Sequence, residues 1–176
     1  MKFSQTTSIV FSALCVVLLI ISAWLTIPGL VPFTMQTFAV SLISVVLGAK
    51  RSVLVVSTYI ILGIIGLPVF SGFQAGAAII LGATGGYTFG FIFFALITGF
   101  FSNHFKKNMP LTILAMIAGL FVCYAFGTAW YILIYLKDIS KTGAALSACV
   151  LPFIIPDLIK IFLAAACLKK AKRFMK

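Results

Sequence analysis

The chain predicts an all-α integral membrane protein, a bundle of six membrane-crossing helices with both termini on the cytoplasmic side. Three observations lead there. Of its 176 residues, 63% are hydrophobic and only 9% charged, against roughly half and a quarter in a soluble globular domain. The apolar residues gather into long runs, and a membrane-crossing helix needs about 20 of them. The basic residues recur at every second break between those runs.

The first run, about Thr7 to Thr26, follows a weak basic start. It is longer than the apolar stretch of a usual signal peptide and lacks a small-residue cleavage site, so it reads as a span. Pro28, Gly29, Leu30, Val31 and Pro32 turn the chain outside. Two runs follow, Thr34 to Gly48 and Ser52 to Ile65, short for a hydrocarbon core of about 30 Å and expected as incomplete spans sheltered by their neighbours. Lys50 and Arg51 fix their hairpin inside. A second outer connection, Gly66 to Gly76, contains Pro68, Gly72 and Gln74. The last three spans are expected over about Ala77 to Phe101, Leu111 to Leu136 and Gly143 to Leu168, in one membrane domain over 1–176.

The formal charge of +11 is not arranged as a nucleic-acid footprint, and no nucleic-acid partner is expected. Lys2, then Lys50 and Arg51, then Lys106 and Lys107, then Lys169, Lys170, Lys172, Arg173 and Lys176 mark one side, ten of the thirteen bases. The opposite breaks carry Lys137 and Lys141, offset in part by Asp138. The positive-inside rule then puts both termini in the cytoplasm and makes the number of spans even.

Asp157 and Lys160 break the pattern, because they lie near the middle of the last apolar run. On insertion scales each charge would cost about 2.5–3.5 kcal/mol at the bilayer centre, so such residues face a bundle interior or an aqueous cavity. At about 100° per residue, a spacing of three leaves them on one helix face. They form a ligand site or an internal ion pair. Net stability is a weak reason for a buried pair, since desolvation rivals the Coulomb attraction. Pro152 and Pro156 on the same helix remove backbone hydrogen bonds and are expected to kink it.

Both outer connections are uncharged and unusually apolar, which points to loops that fold back over the bundle and close a cavity, with Pro and Gly supplying the turns. Gln36 and Gln74 each offer a donor and an acceptor to a ligand with adjacent N–H and C=O groups. Trp130, Tyr131 and Tyr135 read first as an interfacial aromatic belt, with cavity lining as the alternative. Two ladders of small residues, Ser4, Ser8, Ser12 and Gly82, Gly86, Gly90, let helices approach closely in lipid.

Other chemistry has little to work with. Cys15, Cys123, Cys149 and Cys167 lie in apolar runs without C-x-x-C spacing and read as packing thiols. His104 has no second histidine to make a metal site. No phosphate loop of the form G-x-x-x-x-G-K-[ST] occurs, so an ATPase would have to come from another chain. No G-x-S-x-G is present and no carboxylate pair lies within the membrane, so no enzyme, metal or cofactor is expected.

The run from Val31 to Val40, VPFTMQTFAV, is followed by Leu62-Gly63, the stretch from Gly66 to Gly72, the stretch from Gly82 to Tyr87, and Pro156-Asp157 with Lys160. In this order the blocks resemble the BioY family, the biotin-binding S components of energy-coupling-factor (ECF) transporters. The resemblance implies a six-helix S-component bundle that binds biotin at its outer face. It also implies a transmembrane coupling subunit and two ATPase subunits as partners, and a multi-pass place in the bacterial cell (inner) membrane. Asp157 and Lys160 stand at the family's acid and base, and Gln74 where many relatives have asparagine. Ala83 replaces a common proline.

On this reading Asp157 accepts from the ureido N–H groups. Lys160 donates to the ureido oxygen or pairs with the valerate carboxylate. Gln74 adds an amide contact, and Phe33, Gln36, Phe70 and Tyr87 complete the pocket. The family group meets its coupling subunit through a small-residue surface on the first helix, for which Ser8 and Ser12 are the nearest match. Two alternatives remain open: a stand-alone biotin facilitator or proton-coupled carrier, and an S component for another vitamin.

Overall fold

The computed structural model describes residues 5–29, 31–105 and 108–174. Lys2, Ser4, Leu30, Lys106, Lys107 and Lys176, used in the sequence reading, lie outside these residues. Eight α-helices are described: α1 (Gln5–Trp24), α2 (Gln36–Leu47), α3 (Ala49–Ile64), α4 (Ala77–Leu81), α5 (Gly85–His104), α6 (Met109–Trp130), α7 (Thr142–Cys149) and α8 (Leu151–Phe174). Four helical stretches among the described residues are long and apolar enough to cross a membrane: Gln5–Trp24, Gly85–His104, Met109–Leu136 and Thr142–Lys170. Between them the short α2 and α3 meet at Gly48, whose φ of +75° favours glycine and reverses the chain with no loop.

Two expected helices are broken rather than continuous. The run from Ala77 to Phe101 divides into α4 and α5, with Gly82 and Thr84 in the break, so Gly82 is not on the same helix as Gly86 and Gly90. The run from Gly143 to Leu168 divides at Val150 into α7 and α8. Pro152, with no amide hydrogen, falls in the first turn of α8, where a helix does not need that donor. Pro156 is carried inside α8. The continuation of α6 over Tyr131–Leu136 widens into a π-helical turn and stops at Lys137, which takes a left-handed conformation.

The first connection, expected on the outer side, carries a small two-stranded hairpin. Strands β1 (Thr26–Ile27) and β2 (Phe33–Thr34) pair antiparallel, Thr26 opposite Thr34 and Ile27 opposite Phe33. The second folds inward: Val69 and Phe70 are buried, and the Gly76 amide donates 2.8 Å to the Gly63 carbonyl at the end of α3.

Glycine sets a close helix contact between α5 and α6. A Cβ on Gly86 would lie 2.2 Å from Trp130 Cβ, and one on Gly90 would lie 2.8 Å from Cys123 Sγ. Gly127, from the α6 side, leaves the same kind of space for the Tyr87 ring. Helices in lipid lack a hydrophobic force between them, so such close approach supplies the dispersion contact that holds them. Ser8 and Ser12 are half-buried on α1, with the Ser12 hydroxyl donating back to the Ser8 carbonyl at 2.9 Å. One outward face of α1 is left exposed at Ile9, Val10, Leu14, Val17 and Ile21.

Candidate functional site

Asp157 and Lys160 sit one turn apart on α8 and point into the bundle, exposed by only 3% and 4%. Lys160 Nζ donates to Asp157 Oδ1 at 2.7 Å. The pair borders a cavity of about 70 Å³ that draws its walls from α2, α3, α5, α6, α7, α8 and both outer connections.

The carboxylate is held on three sides. Besides Lys160, Thr37 Oγ1 on α2 donates to Oδ1 at 2.9 Å, and the Tyr124 hydroxyl on α6 donates to Oδ2 at 2.6 Å. Two carboxylate oxygens offer about four acceptor positions, so these three bonds leave room for one more donor. Buried charge is tolerated when paired and hydrogen-bonded, and costs several kcal/mol when either partner is removed.

The ammonium is satisfied differently. A second N–H of Lys160 donates to the backbone carbonyl of Thr34 in the outer hairpin at 2.6 Å. Nζ also lies 3.7 Å from the centroid of the Phe33 ring, a cation–π contact strengthened by the burial of Lys160. Phe33 in turn stacks on Phe153, one turn before Asp157. The hairpin and the last helix are therefore joined through one lysine and two rings.

Opposite the pair, Gln36 at the start of α2 donates through Nε2 to the Tyr59 hydroxyl at 2.9 Å, and its Oε1 accepts from Thr34 Oγ1 at 3.1 Å. The Tyr59 ring meets the Phe70 ring edge-on at 5.6 Å, which turns Phe70 into the cavity wall. Tyr87 lines the cavity from α5, its hydroxyl bonded to Thr128 at 3.0 Å. The site thus combines one buried acid, one buried base, a buried amide and several aromatic faces. It can grip a compact ligand carrying N–H donors, a polar acceptor and apolar carbon.

The structure therefore gathers Asp157, Lys160, Gln36, Phe70 and Tyr87 on one cavity, with Phe33 directly behind Lys160. Gln74 lies elsewhere: it is exposed, in a wider cleft of about 250 Å³ with Thr26, Pro28, Gly29 and Gly72. Pro32, Ser71 and Thr84 line both spaces, so the cleft leads directly onto the cavity. Ser8 and Ser12, on α1, line neither space.

Sequence reasoning passed over Thr37, Tyr59 and Tyr124. A signal for two of them existed. Tyr59 and Tyr124 carry polar tips in the middle of apolar runs, where a hydroxyl needs a partner. Thr37 gave none, since threonine can satisfy itself on its own helix. Trp130, Tyr131 and Tyr135 do not line the cavity; Tyr131 is buried beside Tyr87 and Cys149, and Tyr135 is exposed. Of the four cysteines, Cys123 and Cys149 are on the cavity wall.

A family model described as the BioY family matches residues 1–176. A biotin transporter BioY from Thermotoga maritima is 41% identical over 157 residues, 89% of this chain and 90% of that protein. A biotin transporter BioY from Rhizobium etli is 38% identical over 77% of this chain and 74% of its own length. Among solved structures, the S-component for biotin from an ECF-type ABC transporter superposes with a TM-score of 0.85 at 25% identity, covering 98% of this chain and 95% of that one.

Proposed function

The chain belongs to the BioY family, and from that premise we infer that it takes up biotin across the cell membrane as the substrate-binding S component of an ECF-type transporter. It is a transport protein and not an enzyme. The observation that carries the reading is the buried Asp157–Lys160 pair on the wall of a cavity reached from an outer cleft.

Biotin's fused ureido ring carries two N–H donors and a polarised C=O. Asp157 accepts from the N–H side, and Lys160 turns its ammonium to the ureido oxygen. Thr37 and Tyr124 hold the carboxylate in place, while Phe70, Tyr87 and Phe33 cover the apolar ring system. Gln74, in the outer cleft, contacts the part of the ligand that projects outward. Closing the outer hairpin and the 66–76 loop over the ligand excludes water and strengthens the charged hydrogen bonds.

The single membrane domain is read as crossing the bacterial cell (inner) membrane six times, α2 and α3 supplying the short second and third crossings and both termini lying in the cytoplasm. The charge asymmetry of the breaks supports this orientation. A transmembrane coupling subunit, met through the face of α1 that includes Ser8 and Ser12, and two ATPase subunits drive inward release. No cofactor takes part.

Calorimetry with biotin on detergent-purified protein tests the reading. Tight one-to-one binding that is lost in both Asp157→Ala and Lys160→Ala is the expected result; unchanged affinity in the two variants would remove the site.

A further inference from the structure

Both tryptophans of the chain use the indole N–H in the same way. Trp24, the last residue of α1, donates through Nε1 to the Pro68 carbonyl at 2.9 Å. Trp130, the last residue of α6, donates through Nε1 to the Gly82 carbonyl at 3.3 Å. Pro68 belongs to the 66–76 loop, which supplies Phe70 and Ser71 to the cavity, and Gly82 opens the α4–α5 break, which supplies Thr84. Ser71 and Thr84 also line the outer cleft. Each indole therefore pins one of the segments that separate cavity from cleft.

The packing around each ring agrees with this. The Trp24 ring lies 4.9 Å from that of Phe73, which the loop holds in a left-handed conformation at φ 59° that a bulky side chain rarely adopts. Trp24 covers a strained turn and keeps it in place. Trp130 rests on the glycine surface at Gly86 and against the Phe89 ring at 5.7 Å, so it cannot shift along α5. Indoles of an interfacial belt share their N–H with water and headgroups; these two donate to backbone carbonyls two residues before Phe70 and Thr84, which line the cavity.

We propose that Trp24 and Trp130 are positioning residues for uptake: their indole N–H bonds hold the two segments at the cavity mouth in the closed arrangement and so set how slowly a bound ligand escapes. Trp24 does this from the outer end of the helix that carries Ser8 and Ser12. Movement of α1 is thereby transmitted to the 66–76 loop. The inference rests on the proposed biotin site.

Trp24→Phe and Trp130→Phe keep an aromatic ring and remove the N–H together with the volume of the second ring. In detergent-purified protein each is expected to raise the biotin dissociation rate about three- to tenfold, the range of one lost hydrogen bond. The same bond must open to admit the ligand, so the association rate rises in parallel and the affinity changes little, whereas loss of a purely structural contact would weaken binding without speeding entry. Hydrogen–deuterium exchange on the ligand-free protein gives a second readout that needs no biotin. Trp24→Phe raises exchange in 66–76 and leaves 82–88 alone, and Trp130→Phe does the reverse. Parent-like dissociation from both variants, or no local change in exchange, overturns the proposal while leaving the biotin reading intact. Failure of the parent protein to bind biotin, with the exchange pattern as described, instead overturns the biotin reading and leaves the clamps standing.

Discussion

Lys160 Nζ and the backbone carbonyl of Thr34 lie 2.6 Å apart, joining the last helix to the outer hairpin across 126 residues of sequence. The same ammonium neutralises Asp157. A ligand that draws on Lys160 therefore acts on the outer hairpin as well as on the buried charge. With both groups buried, each of these bonds is stronger than in water, and each is costly to leave unmade.

The first prediction concerns the pair as a unit. Asp157→Asn or Lys160→Met alone strands a buried charge and is expected to lower stability by about 3–5 kcal/mol, whereas the double variant removes both charges and loses less than either single change. Thermal melting of the four proteins in one detergent checks this. Biotin binding should fall at least a hundredfold in all three variants. A double variant less stable than both singles would show that the two residues do not compensate one another.

Tyr124 and Thr37 are expected to tune the acid without being essential to the fold. Tyr124→Phe removes the donor to Asp157 Oδ2 and Thr37→Val the donor to Oδ1, each a hydrogen bond to a charged group worth about 1.5–3 kcal/mol. Calorimetry should register a weakening of biotin binding by roughly ten- to a hundredfold in each. The combination should exceed either alone, since both bonds orient one carboxylate.

Much of the fold was legible because lipid leaves few options. Apolar runs predicted where helices lie, and each of the four long apolar stretches overlaps an expected span, although Gly85–His104 begins eight residues after the expected Ala77. The breaks at Gly82–Thr84 and Val150 were less visible, since an apolar run does not reveal whether its backbone is continuous. At the site, scarcity of charge was the signal: Asp157 and Lys160 were conspicuous because carboxylates and ammoniums are costly there. Tyr124 offered only a polar tip in an apolar run and Thr37 nothing, because the partner of each hydroxyl, 33 or 120 residues away, is a product of packing. Gln74 stood out as an amide in an apolar loop and by the resemblance, but its place in the cleft depends on a loop whose path no local pattern fixes.

That outer position leads to the next prediction. Gln74 is exposed and shares the cleft with Gly72 and Pro28, away from the buried pair. Gln74→Ala is expected to weaken biotin binding by about tenfold or less, the range of a neutral hydrogen bond at a partly wet site. Asp157→Ala should cost far more under the same conditions. Side-by-side titrations decide it, and equal losses would mean that the amide reaches deeper than the cleft.

Gly63 provides a steric test of the cavity wall. A Cβ there would lie 2.0 Å from Phe70 Cζ, inside any allowed contact, and its neighbours on the ring are at 2.4 and 2.5 Å. Phe70 cannot retreat without losing its edge-on contact with Tyr59, which holds Gln36 in turn. Gly63→Ala should therefore move the ring into the cavity or lift the 66–76 loop, overpacking that costs about 1–3 kcal/mol. Biotin affinity should drop with the melting temperature. Adding Phe70→Leu removes the ring that collides and should restore the melting temperature. If Gly63→Ala binds biotin as the parent does, Phe70 is not the wall that shapes the site.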